Sequence, residues 1–238
     1  MFESGAAHAD VVVIGGGIVG SAAAYFLLRE SPGLRVLVIE PDPGYALASS
    51  LRASGGCRVQ FTCPENIAMS LFSLDFIQAF DATMGTATHP AAAQWVPGGY
   101  LFIVPPDNAR ALERNVRAQQ AQGCHVELLT PSELSRRFPS MNVSDLGAGA
   151  HTPRDGWCDP NGLLWGFRRK AVELGARYRP ARVVGADTTA TQVIAVRLDD
   201  GARVTAEAFV NATGAWSGEV AGLFGMSLPI SPLRRFEH

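Results

Sequence analysis

The sequence predicts an α/β fold, a parallel sheet buried on both faces, interrupted and followed by pieces of an α+β layer. Three observations at the start of the chain predict the parallel sheet. Asp10 to Ile14 form a β-branched run, a cluster of glycines follows, and then comes the helix-compatible stretch SAAAYFLLRES. Leu34 to Glu40 form a second apolar run, so the order is strand, turn, helix, strand. Both strand segments are continuously apolar rather than alternating, as strands covered on both faces are.

The elements that follow read in order. Pro64 to Met84 carries Ile67, Leu71, Leu74, Ile77 and Phe80 at helical spacing with proline in the first turn, which predicts one amphipathic helix. QWVPGGYLFIV reads as a strand pair or a bent strand around Pro97, Gly98 and Gly99, and Asn108 to Gln122 as a surface helix closed by Gly123. Cys124 to Leu129 reads as a strand, and Thr130 caps a short helix opened by Pro131. A helix from Asp159-Pro160 to Leu174 is stopped by Gly175. Tyr178 to Gly185, Gln192 to Leu198 and Arg203 to Ala212 read as strands of an antiparallel meander, with Asp200-Gly201 as a hairpin turn. This order predicts a discontinuous first domain, 1–84 and 148–225, and a partial α+β layer, 85–147 and 226–238.

Composition narrows the function. With 47% hydrophobic residues in 238, a large core is available, and a formal net charge of -2 provides no field for nucleic acid or an anionic membrane. A small molecule is the expected partner. Cys57, Cys63, Cys124 and Cys158 show no zinc-like spacing and read as reduced thiols, and no metal is expected. The opening residues show no secretory signal pattern, so the cytoplasm is the expected compartment. Val11 to Leu28 is uncharged and contains Gly16-x-x-x-Gly20, but four glycines directly after a β-rich run suit a turn better than a membrane span.

The chemistry begins at Gly15-Gly16-Gly17-Ile18-Val19-Gly20, a GxGxxG pattern at the strand-to-helix junction, with Glu40 at the end of the next strand. Gly15 permits the tight turn, Gly17 lets backbone approach a pyrophosphate, and Gly20 lets helix and strand pack closely. Ile18 and Val19 open a helix whose N-terminus presents N–H donors and partial positive charge. Glu40, followed by Pro41, would accept from ribose hydroxyls and would repel a 2′-phosphate. This is the fingerprint of a Rossmann-type dinucleotide site, and NAD and FAD both remain open at this point; a glycine turn with no ligand is the bland alternative. A second segment, Ala208 to Ser217, is an apolar strand that ends in Thr213-Gly214 with Trp216 just beyond.

That second segment resembles the strand that meets the cofactor in two-dinucleotide-binding flavoproteins. Ser49 to Phe61 followed by Pro64-Glu65-Asn66-Ile67 resembles the flavin-contacting loop of the D-amino-acid-oxidase superfamily of sarcosine-, dimethylglycine- and glycine-oxidising enzymes. The likeness is greatest to the FAD-dependent oxidoreductase domain-containing proteins. Asp155 to Pro160 and Leu228 to Arg235 match the superfamily as well. The resemblance implies a noncovalent FAD, because the early loop has no histidine where some relatives attach the flavin. It implies that Ser49, Ser50, Gly55 and Gly56 line the pyrophosphate and flavin side, and that Val183 offers backbone groups to adenine. Arg58 would lie near the isoalloxazine, where a cation stabilises the anionic reduced ring; otherwise it is a solvated loop charge.

The implied reaction is hydride transfer from the carbon beside a small amine to the flavin, followed by hydrolysis of an imine. A non-catalytic flavoprotein fragment or assembly factor is the alternative, and an NAD-dependent dehydrogenase a third. Members of the superfamily continue for more than a hundred residues beyond the position corresponding to His238. The resemblance therefore implies a C-terminally truncated chain with an incomplete substrate layer, little turnover by itself, and a partner chain or oligomer covering that layer.

Overall fold

Residues 7–234 are described in a computed structural model, and the chain begins as its hydrophobic pattern requires. Strand β1 (Ala7–Ile14) leads through the glycine turn into helix α1 (Ile18–Glu30) and strand β2 (Val36–Ile39). Next come β3 (Gly56–Cys57), α2 (Pro64–Gln78), α3 (Phe80–Thr83), β4 (Val96–Pro97), β5 (Tyr100–Val104), α4 (Ala109–Ala121) and β6 (Glu127–Leu129). The remainder is α5 (Pro131–Arg137), β7 (Ala148–Thr152), β8 (Gly156–Trp157), α6 (Pro160–Glu173), β9 (Arg177–Arg179), β10 (Val183–Thr188), β11 (Val193–Leu198), β12 (Arg203–Asn211) and α7 (Ser217–Leu223). The opening MFESGA and the final Arg235 to His238, on which the signal and chain-end readings rest, lie outside the described residues. Among the described residues no helix is long and apolar enough to cross a membrane.

The chain divides into two compact units. Among the described residues the first comprises 7–54, Ala82–Ala92 and 160–234. Its sheet has the order β10-β11-β12-β1-β2-β9, with β1 parallel to both β12 and β2, and β2 parallel to β9. All four residues of β2 are buried, which is why its sequence is an unbroken apolar run. The antiparallel hairpin of β11 and β12 turns at Gly201, whose φ of 83° suits glycine. A core of Val12, Ile14, Leu37, Ile39, Val196 and Val204 joins the sheet to Val220 of α7. On α1, Tyr25 and Phe26 pack against Phe167 of α6, with ring centroids 5.8 and 6.2 Å apart.

The second unit comprises Gly55–Asp81 and Ala93–Asp159. It holds two three-stranded antiparallel sheets, β3-β8-β4 and β5-β7-β6. Ile67 and Leu74 of α2, Val116 of α4, Val126 and Ala150 form its core. Thr130 caps α5 through a capping box: its hydroxyl accepts from the Glu133 N–H, and the Glu133 carboxylate accepts from the Thr130 N–H at 2.7 Å.

Two sequence expectations are corrected. Tyr178 to Gly185 is not one strand: Pro180 has no N–H for the ladder, and the segment splits into β9 and β10 at opposite edges of the sheet. Pro64 to Met84 is not one helix, because it breaks at Ala79 into α2 and α3, although Ile67, Leu74 and Phe80 are buried as their spacing requires. By its sequence the segment around Pro97-Gly98-Gly99 allows a strand pair or a bent strand. It forms two strands that pair elsewhere, β4 with β8 and β5 with β7.

Candidate functional site

The glycine turn in the first unit assigns a different geometric demand to each glycine. Gly15 has φ 95°, and a Cβ there would sit 2.6 Å from the Ala212 carbonyl oxygen. A Cβ at Gly20 would lie 1.8 Å from the Gly15 carbonyl oxygen, so α1 reaches the end of β1 only without a side chain. Gly17 differs: a Cβ would meet nothing within 4 Å, so the space in front of it is open. Gly17 is the N-cap of α1 and has no side chain to bond the first turn, whose N–H groups face the same side. Behind the turn, the Tyr178 hydroxyl donates to the buried Ser21 hydroxyl at 3.0 Å, and Ser21 donates to the Gly16 carbonyl at 2.8 Å. That chain of bonds holds the turn to β9.

Beside the turn stands the loop after β2. The Glu40 carboxylate accepts the Gly16 N–H at 2.8 Å through one oxygen and the Asp42 N–H at 2.9 Å through the other. Each oxygen keeps a lone pair for a further donor. Asp42 in turn accepts from the Gly44 and Ala46 N–H groups. Tyr45 follows with φ 58°, a left-handed conformation that is costly for a bulky residue. Its ring is buried, and Arg168 donates to its hydroxyl at 3.0 Å, which holds the strained residue in place.

The resulting cleft encloses about 410 Å³. Gly15, Gly17, Ile18 and Val19 line it from the turn, Glu40, Pro41, Ser49 and Ser50 from the loop, Val183 from β10, and Thr213, Gly214 and Trp216 from the end of β12. One end is apolar, formed by Ile39, Ala181, Val183, Val220 and Leu223. Gly20 lies behind the turn and does not line the cleft. Gly55, Gly56 and Arg58 belong to the second unit and do not line it either. Sequence reasoning missed Asp42, Tyr45, Leu47, Ala48, Ala181, Arg182 and Glu219. Asp42-Pro43-Gly44 was a turn signal that could have marked the loop.

Within the second unit Arg58 is half-buried rather than a solvated charge. Its guanidinium lies 4.8, 5.4 and 5.3 Å from the ring centres of Phe61, Tyr100 and Phe102. The buried Nε has no hydrogen-bond partner among the described residues, and one terminal nitrogen reaches the Tyr100 hydroxyl at 3.4 Å. Near it Asp155 is fully buried, accepting the Val59 N–H at 3.3 Å on one oxygen, while the other has no hydrogen-bond partner among the described residues. Burial pushes its carboxyl up to about 6, against the pull of the Val59 N–H and of Arg58.

A raised carboxyl value means that the folded state holds its proton to higher pH than the unfolded state. Stability therefore falls as pH rises from about 4 through about 6, and the loss persists above that, on the order of 2–3 kcal/mol. Asp155→Asn should gain on the parent by about this amount between pH 4 and 7.5 in urea melts. Parallel stability profiles for the two proteins would show that this carboxyl does not titrate as its burial requires.

The family model described as FAD dependent oxidoreductase matches residues 10–236. The chain belongs to this FAD-dependent oxidoreductase family. Bovine (Bos taurus) FAD-dependent oxidoreductase domain-containing protein 1 is 32% identical over 263 residues, covering 96% of this chain and 54% of the relative. Mouse (Mus musculus) mitochondrial sarcosine dehydrogenase is 27% identical, covering 93% of this chain and 24% of its own length. The crystal structure of L-proline dehydrogenase from P. horikoshii superposes with a TM-score of 0.81 at 28% identity, covering 93% of this chain and 57% of that one. The chain thus spans about half the length of the curated FAD-dependent oxidoreductase it matches.

The cleft fits the cofactor of the family. The open space at Gly17 is the cradle a pyrophosphate needs, and the carboxylate of Glu40 stands where ribose hydroxyls can donate to it. The apolar end suits a purine ring. No cationic side chain is required, because the helix N-terminus supplies the positive end of its dipole.

Proposed function

We propose that this chain is the cofactor-binding part of an FAD-dependent enzyme that oxidises the C–N bond of a small amine or amino acid of the sarcosine or glycine kind. The single observation that carries the reading is the cleft in the first unit, open at Gly17 and bordered by the Glu40 carboxylate. The names of the relatives, sarcosine dehydrogenase and L-proline dehydrogenase, support the substrate class. FAD, when bound, supplies the two-electron oxidant that takes a hydride from the carbon beside the amine.

The chain's own residues do the rest. Gly15 and Gly17 bring backbone to the pyrophosphate, and the Ile18 and Val19 N–H groups offer it donors. Glu40, set by its two backbone bonds, accepts from the ribose, while Pro41 and Val183 border the adenosine. Ser49, Ser50, Gly55 and Gly56 serve the pyrophosphate and flavin side, and Thr213, Gly214 and Trp216 flank the same cofactor. Arg58, its face held by three aromatic rings and one terminal nitrogen bonded to the Tyr100 hydroxyl, would contribute its positive charge on the flavin side. In this reading the first unit is the main FAD-binding domain and the second contributes to the substrate layer. Attachment is noncovalent, since Ser49 to Phe61 contains no histidine.

The test is anaerobic mixing of the FAD-loaded protein with sarcosine, dimethylglycine, glycine and proline. Because the chain spans about half of its relatives, it is run alone and with whatever reading frame follows it attached. Bleaching of the oxidised-flavin absorbance by one of these amines is the expected result. A flavin spectrum that all four leave unchanged in both forms overturns the amine reading and favours a non-catalytic flavoprotein.

A further inference from the structure

The second unit holds a pair of thiols that the proposed function does not use. Cys57 ends β3, and Cys158 directly follows β8. The two strands are antiparallel with Gly56 opposite Trp157 and Cys57 opposite Gly156. The Cys158 N–H donates to the Gly55 carbonyl at 3.0 Å, which extends the ladder by one more pair. Both positions opposite the cysteines on the β3–β8 ladder are therefore glycines, so no side chain stands directly across that ladder from either thiol. The sulfurs meet diagonally at 3.8 Å. Cys158 is buried, whereas Cys57 is half-exposed and open to a small oxidant.

We propose that Cys57 and Cys158 form a dithiol site that hydrogen peroxide oxidises to a disulfide, stapling the Gly55–Arg58 segment to β8. Attack of the Cys57 sulfur on the peroxide breaks the O–O bond, leaving a sulfenic acid on Cys57 and releasing one water. The Cys158 sulfur then attacks the Cys57 sulfur; the S–O bond breaks, the S–S bond forms, and a second water leaves. Two electrons pass from the sulfurs to the peroxide, and both thiol protons end in water. The sulfurs must close from 3.8 Å to about 2.05 Å, which takes rotation of both side chains together with a small approach of the two short strands. The hydrogen bond from Cys158 holds the Cys57 thiol below its ordinary range, which favours Cys57 as the attacking thiolate.

The competing thiols differ in setting. Cys63 is exposed and donates to the Glu65 carboxylate at 2.8 Å, and Cys124 is buried with burial raising its thiol. Among the described residues neither bonds a second sulfur.

The experiment treats the reduced chain with hydrogen peroxide, alkylates the remaining thiols and maps the peptides without reductant. The expected result is a cross-linked peptide joining Cys57 to Cys158, a fall in alkylatable thiols from four to two, and recovery on adding dithiothreitol. The oxidised form should melt roughly 5–10 °C higher than the reduced form. Both changes should persist in Cys63→Ser and disappear in Cys57→Ser. Sulfinic acid at Cys57 with Cys158 still alkylatable, or peroxide consumed at Cys63 or Cys124 while this pair stays reduced, overturns the proposal on the parent protein itself. A cross-link without a melting shift overturns the stapling.

Discussion

Replacing Gly17 with valine should leave the chain folded and unable to hold FAD. The backbone at Gly17 has φ -60° and ψ -170°, which any residue adopts, and a Cβ there meets no protein atom within 4 Å. The expected loss of stability is about 1 kcal/mol, the cost of a β-branched residue at a helix N-cap. The side chain nevertheless enters the space a pyrophosphate needs. FAD affinity should fall at least ~100-fold, equivalent to about 2.7 kcal/mol. Circular dichroism and a flavin titration on the same sample check both halves. Unaltered affinity in the folded variant would show that the cofactor does not pass in front of this residue.

The opposite outcome is expected three residues later. Gly20→Ala adds a single methyl group, but that carbon would lie 1.8 Å from the Gly15 carbonyl oxygen and 3.3 Å from a Val13 methyl. The oxygen is backbone at the end of a buried parallel strand, so it cannot swing aside. The turn and α1 must separate, at a cost of about 3 kcal/mol or more, which corresponds to a midpoint lowered by roughly 6–12 °C. Thermal melts of the ligand-free proteins measure it. A Gly20→Ala protein as stable as its parent would mean that α1 stands further from β1 than described. Together the two variants separate a glycine required by the fold from one required by the ligand.

The first βαβ unit was legible because continuous apolar runs and a glycine turn are local signals, and the acid at Glu40 sits where such a unit places it. The cap at Thr130 was legible for the same reason, and the structure adds the reciprocal bond from Glu133. What local pattern does not encode is pairing. Tyr178 to Gly185 has strand composition throughout, yet Pro180 sends its two halves to opposite edges of one sheet. The break in the helix at Ala79 was equally hidden, since Phe80 keeps the helical spacing across it. In the cleft, the residues missed were those supplied by loop conformation: Tyr45 reaches it through a left-handed backbone held by burial and by Arg168, none of which periodicity reports. Arg58 was read from a resemblance, and the three rings around it come from Phe61 and β5, a contact set by tertiary packing.

The most direct test of the central claim, that the cleft in the first unit is an FAD site, is an equilibrium titration of the cofactor-free chain with FAD and with NAD. It is read by quenching of flavin fluorescence and by calorimetry. The account predicts one FAD per chain, bound at least ~100-fold more tightly than NAD, a difference of about 2.7 kcal/mol. NAD binding as tightly as FAD, or a folded chain that takes up no FAD, would contradict it.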